Sequence, residues 1–331
     1  MNPFEQLEYN KIKSILAEEC HSSLGRELAL SLQPLDEKKQ IEYKLSFTGE
    51  VQNLLKSGIS FNFENVSDIS KLLQEFEHQT YNFEEFRKIY FNILAANNIT
   101  RHTNEIEDSP LYLALIGKIA SLDFLEKRFN DIFDAEGEVK DSASKELTSI
   151  RRRKKQLRIN AISALNKKIE DLATSNYLHD KIVTQRDGRF VIPVKEGATS
   201  FINGIVHGRS ASKSSIFIEP QEVVGLNNEL DLATNEEKQE IFRIFKEFTE
   251  NILASKEIIL INTKIVQELD YYFATARVAN ILQAEIPQIE EKPYLNLNSA
   301  RHPLLIYTYE NYNDVIPFDL ELGKDFKLLL I

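Results

Sequence analysis

Arg151, Arg152, Arg153, Lys154, Lys155 and Arg158 place six cations within eight residues, with no acid among them. Such a run suits one chemistry above others: neutralising a row of phosphates, which is independent of sequence and sensitive to salt. On a helix five consecutive positions wrap around the whole circumference, so the six cannot all meet one partner. Arg151, Lys154, Lys155 and Arg158, at i, i+3, i+4 and i+7, do share a face. The bland alternative is a solvated helix face, or cations paired with the acids Glu236, Glu237, Glu240 and Glu247 of a later segment. A second set, Arg186, Arg189, Lys195, Arg209 and Lys213, sits on or beside turns, where side chains reach a partner most easily. His207 lies among them with neither metal-ligand spacing nor a nucleophile, so a structural hydrogen-bonding role is favoured over a catalytic one. The scattered carboxylates form no nuclease-like constellation.

The charge balance explains why these cations stand out. The chain of 331 residues carries a formal net charge of −11, which alone argues against a nucleic-acid binder. Residues 145–215, however, hold 15 Lys and Arg against 6 Asp and Glu, a net +9, leaving −20 for the rest. A chain so polarised can offer a basic element to a polyanion while its body stays acidic. The length suits about two domains with a sizeable core. A single cysteine, Cys20, excludes an internal disulfide framework. No apolar run approaches the roughly 20 residues of a membrane span, and the N-terminus lacks a signal-peptide pattern, so the expected compartment is the cytoplasm, with no membrane partner.

The elements that must position the cations can be read from periodicity. Residues 1–135 read as helices broken by turns, with an apolar face at Leu7, Ile12, Ile15 and Leu16. Glu138 to Asp187 contains no Gly or Pro, Asp141 or Ser142 is the expected N-cap, and Ile162, Leu165, Ile169 and Leu172 form a seam. A helix over 145–176 would be about 48 Å long at 1.5 Å per residue. Leu226 to Ile286 is likewise uninterrupted, with Ile241, Phe245, Phe248 and Ile252 stepping four, three, four. Two long helical stretches flanking a compact segment predict an antiparallel pair with residues 181–224 at its end. There Arg186-Asp187-Gly188-Arg189 is a hairpin signal, Phe201 to His207 and Ser214 to Ile218 supply further strands, and Pro193 points to an edge strand. Asp325 to Ile331 ends in an apolar run suited to a buried strand.

Several blocks, in this order, resemble the MutS family, and within it the bacterial type-two branch. They are Gly137 to Ser144 with Leu147, Ile150 and Arg151; Arg186 to Lys195; Gly204-Ile205-Val206-His207; Ser210-Ala211-Ser212; Phe217-Ile218-Glu219-Pro220; and Leu226-Asn227-Asn228-Glu229. Ala300-Arg301-His302-Pro303-Leu304-Leu305 resembles the opening of that family's ATPase domain, and Leu328 to Ile331 resembles the strand just before its phosphate loop. The pattern Gly-x-x-x-x-Gly-Lys-Ser/Thr does not occur, so these residues are not expected to hydrolyse ATP or to hold a cofactor; ATP and Mg are implied for the intact protein. Phe83-Glu84-Glu85 has the letters of a mismatch-reading wedge but reads as a helix start, and mismatch recognition is not expected. Lys213 stands where the type-two pattern commonly has Gly.

What the resemblance implies is a mainly α fold: a helical core (1–140), an outgoing lever helix (141–180), a β-rich clamp (181–225), returning lever and core helices (226–290), and the start of an ATPase domain (291–331). The clamp cations would grip branched or duplex DNA, the lever cations Arg151, Lys154, Lys155 and Arg158 would touch its backbone, and Arg301, His302, Val315 and Ile316 would lie near the nucleotide. Type-two members are associated with restraint of recombination and with stalled or collided ribosomes, and often carry a C-terminal Smr nuclease domain. The implied partners are therefore DNA or the ribosome, and a second copy of the chain. The alternatives are an RNA- or ribosome-engaging module and a dimerising scaffold whose cations are only solvated.

Overall fold

The computed structural model describes residues 6–103, 106–210, 214–309 and 312–325. Lys213, the Ala211-Ser212 part of the predicted turn, and the strand expected at Leu328 to Ile331 lie outside the described residues. The fold is mainly α with a small antiparallel sheet, and the chain divides into two compact units, residues 79–81 with 128–250 and the remainder. No described helix is long and apolar enough to cross a membrane.

The remainder is built on α1 (Tyr9–Glu18), α2 (Ser23–Leu30), α3 (Lys38–Lys56), α4 (Ser70–Gln74), α5 (Phe83–Arg101) and α6 (Pro110–Ile116). Phe83 opens α5 behind a capping box in which the Asn82 side chain accepts from the Glu85 N–H and Glu85 accepts from the Asn82 N–H. The Phe83-Glu84-Glu85 letters are therefore a helix start. Phe61 and Phe63 lie in coil; Phe63 is fully buried, in one apolar cluster with Phe47 and Tyr272. Asp270 is also buried, and its carboxylate accepts from the His21 and Ser22 N–H groups and the Ser22 hydroxyl at the start of α2.

The chain continues through α7 (Asp123–Ile132) into α8 (Lys145–Leu172). Residues Asp141–Ala143 form a 3-10 turn, so the cap of α8 is Ser144, whose side chain accepts from the Leu147 N–H, and neither Asp141 nor Ser142. The helix stops at Leu172 rather than 176, about 42 Å long at 1.5 Å per residue. Its buried seam is Leu157, Ala161, Leu165 and Ile169, a strict four-residue step, with Ile162 and Leu172 only partly covered.

Four strands follow: β1 (Thr184–Arg186), β2 (Arg189–Lys195), β3 (Gly204–Arg209) and β4 (Ser215–Pro220), in the order β1-β2-β4-β3. Asp187 and Gly188 both have positive φ, 49° and 83°, the geometry of a two-residue I′ turn, which Gly adopts without strain. The interior strands β2 and β4 are buried nearly throughout, while β1 and β3 are exposed edges. Pro193 thus sits in an interior strand, not at the expected edge. Its carbonyl, and so its nitrogen, faces away from β4 toward residues 177–179, where the Pro193 carbonyl accepts from the His179 N–H. The ladder to β4 loses no donor there.

The return runs through α9 (Gln221–Ala254), breaks at Ser255 and resumes as α10 (Lys256–Ile281). Lys168 with Glu222 and Ser144 with Glu240 fix α9 antiparallel to α8. The chain ends in β5 (Leu295–Ala300), α11 (Pro303–Tyr309) and β6 (Phe318–Leu322), with β5 and β6 forming a two-stranded ladder.

Candidate nucleic-acid interface

The blocks at Arg189, His207, Glu219 and Asn227 converge on one carboxylate. Glu219, at the end of β4, has a fully buried side chain. Arg189 grips it with a two-pronged fork, Nε donating to Oε2 at 2.8 Å and Nη2 to Oε1 at 2.7 Å. Asn227 Nδ2 donates to Oε1 at 2.8 Å, and His207 Nε2 lies 2.6 Å from Oε2. The Asn227 amide also accepts from the Phe190 N–H and donates to the Phe190 carbonyl. Burial alone would raise the Glu219 carboxyl, but the bonds from Arg189, Asn227 and His207 hold it below its ordinary value. The remaining prongs of Arg189 go to Asp231 and Asn228, at 2.8 and 2.7 Å. Arg189 is consumed by the fold. Glu219, Asn227, Asn228 and Asp231, which composition and turn position do not single out, are the groups that consume it.

The α8 cations divide. Helix α8 carries nine Lys and Arg against three acids, and α9 three Lys and Arg against eight acids. Opposite signs therefore face each other. Arg151 Nε and Lys154 Nζ both donate to Glu237, at 2.7 and 2.6 Å, and Arg153 pairs with Glu236. Burial would raise the Glu237 carboxyl, but these two bonds hold it low. Arg151 Nη1 also donates to Asp141 and to the Val139 carbonyl. Lys155 and Arg158 are exposed and form no ion pair among the described residues; Arg158 lies 5.8 Å from the centre of the Phe190 ring.

One open cleft of about 420 Å³ brings these groups together: Arg151, Lys154, Lys155 and Arg158 on one wall, Gln185, Gly188 and Phe190 from the β1–β2 hairpin on another, and Glu237 from α9. Arg186 of β1 lays its guanidinium 4.0 Å over the ring of Phe217 in β4. Lys195 donates to the Asn176 side chain at 2.6 Å, and exposed Arg209 pairs with Glu196 at 2.7 Å.

Arg301 and Val315 are also brought together: Arg301 Nε donates to the Val315 carbonyl at 2.9 Å, and the guanidinium lies 4.2 Å over the Tyr312 ring. The His302 carbonyl accepts from the first turn of α11, and Ile316 is 86% exposed. These residues offer an aromatic and apolar surface but no run of backbone N–H groups with a lysine, so they do not fit a triphosphate. Among the described residues no cluster of three His, Cys, Asp or Glu forms a metal site.

No family model matches the chain. It is 32% identical over 332 residues to the "Endonuclease MutS2" of Finegoldia magna, covering 98% of this chain and 41% of that protein. It is 32% identical to the protein of the same name from Caldanaerobacter subterraneus, over 99% of this chain and 41% of the relative. The "Putative endonuclease MutS2" of Bacillus subtilis is 34% identical over 330 residues, with 98% and 41% covered. The chain thus spans about two fifths of the length of these curated relatives.

Proposed function

Because the chain belongs to the MutS family, in its type-two branch, we propose that its 128–250 unit is a DNA-gripping element acting in repair or in the control of recombination. The observation that carries this reading is the cleft in which the α8 face meets the β1–β2 hairpin, with Lys155 and Arg158 left without acidic partners among the described residues. Two such cations suit backbone phosphates, which carry no sequence information, and give affinity that falls as salt rises. Helices α8 and α9 serve as levers and the sheet as a clamp. In the full-length protein ATP and Mg, held by residues beyond those described, bias the clamp between closed and open states. The name endonuclease belongs to the relatives, and no described residue is assigned nuclease chemistry.

Fluorescence anisotropy of the chain with duplex DNA, a four-way DNA junction and ribosomes, each at two salt concentrations, tests this. Binding to DNA with a steep salt slope that flattens in Lys155→Glu/Arg158→Glu is the expected result. Binding to ribosomes alone, or to no polyanion, overturns it.

A further inference from the structure

Phe201 is the last residue of a 3-10 turn, Glu196–Phe201, that links β2 to β3. The turn is held from below: Ala198 and Ile202 are buried in the apolar cluster of the sheet and helices. With its neighbours anchored inward, Phe201 is directed outward and is 64% exposed. It is not a loose side chain. Its ring lies parallel to that of Tyr177, 3° between planes and 5.0 Å between centres. One aromatic face is therefore fixed and covered while the other is open to solvent. Tyr177 is itself pinned, its carbonyl accepting from the Lys195 N–H at 2.9 Å, and the Lys195 ammonium is tethered to the next residue back, Asn176. The acid at the start of the turn, Glu196, is paired with Arg209.

We infer that Phe201, stacked on Tyr177, with Lys195 tethered to the residue before that tyrosine, is a stacking platform for an unpaired base of DNA. The inference rests on the DNA-gripping reading and names the substrate class that reading leaves open: DNA with single-stranded or displaced bases rather than continuous duplex. A rigid, singly covered aromatic ring beside a cation is the arrangement single-stranded nucleic acid uses, since every base has a π-face and every base brings a phosphate. Charge favours this occupant locally, because residues 173–210 hold five Lys and Arg against three acids. A protein partner would want a wider apolar patch. The exposed Ile205 and Val206 of β3 do not widen it into one, because successive strand residues point to opposite faces of the sheet.

The test uses the whole chain with single-stranded DNA, the same sequence as duplex, a duplex bearing a single-stranded flap, and single-stranded RNA. Anisotropy gives affinity, and 2-aminopurine in the flap reports stacking by its quenching. Phe201→Ala, and Phe201→Leu as a variant that keeps bulk but removes the ring, should weaken flap and single-stranded DNA about five- to tenfold. Duplex affinity should change less than twofold, the 2-aminopurine quenching should be lost, and Phe201→Tyr should restore both. Equal loss on duplex and flap, no loss on either, or an effect confined to RNA overturns the platform while leaving the DNA-gripping reading intact. Absence of DNA binding by the unsubstituted chain removes both.

Discussion

Arg189 and Arg158 are the same residue type within one unit, and they have opposite fates. Arg189 has donors from all three of its nitrogens committed to Glu219, Asp231 and Asn228, whereas Arg158 stands open on α8 with only the Phe190 ring near it. The difference lies in what each faces. Arg189 leaves β2 toward the buried end of β4, where an unpaired charge would be costly and an acid is supplied. Arg158 lies one turn beyond Lys154 on the same face of α8, where α9 brings no acid to meet it. A positive charge in the sequence is thus a structural bolt or an available hand, and the acid opposite decides which.

The largest expected effect comes from breaking the bolt. Glu219→Gln removes the carboxylate that takes both prongs of Arg189, and should cost about 3 kcal/mol in chemical denaturation, because a mostly buried guanidinium loses its main counter-charge. Acid should sharpen the same contrast. Glu219, Glu222, Glu237 and Glu240 are all held below their ordinary value of 4.5 in the folded chain. A depressed carboxyl stabilises fully above the unfolded value and loses that contribution as pH falls through the folded one. Melting temperature should therefore be flat from pH 7 down to about 5 and fall below it, with a shallower fall in Glu219→Gln. Glu237→Gln comes next, at about 1 kcal/mol, since it releases Arg151 and Lys154 near the surface. It should also tighten polyanion binding, because both freed cations line the cleft; an unchanged affinity in anisotropy would mean they never reach the ligand. Lys155→Glu/Arg158→Glu should move stability least, within about 0.5 kcal/mol. Its effect should be on binding, lowering the log–log salt slope by about 0.9 for each phosphate that is no longer neutralised.

Much of the fold is legible in the sequence. The Gly/Pro-free stretches locate α8 and α9, and the Asp187-Gly188 pair locates the hairpin, because helix period and I′ turn chemistry are local properties. The cap of α8 departs from the expected Asp141 or Ser142 because Asp141–Ala143 folds into its own 3-10 turn, giving the capping role to Ser144. Pro193 reads as an edge residue because a sequence does not say which side of a strand its missing N–H would face. The site is less legible than the fold. Arg189 and Lys155 are equally basic on paper, and only the register of β2 against β4, and of α8 against α9, shows which one meets an acid. The block Phe217-Ile218-Glu219-Pro220 carries the clue, since an acid within an apolar strand needs an internal partner.

Asn227 has a mechanical consequence. By bonding both the N–H and the carbonyl of Phe190 while also donating to Glu219, it keys the second turn of α9 to β2 and β4 at once. A twist of α9 about its own axis would have to break these three bonds before it slipped past the sheet. With them intact it would reach the strands as torque, as a shank turns its bit.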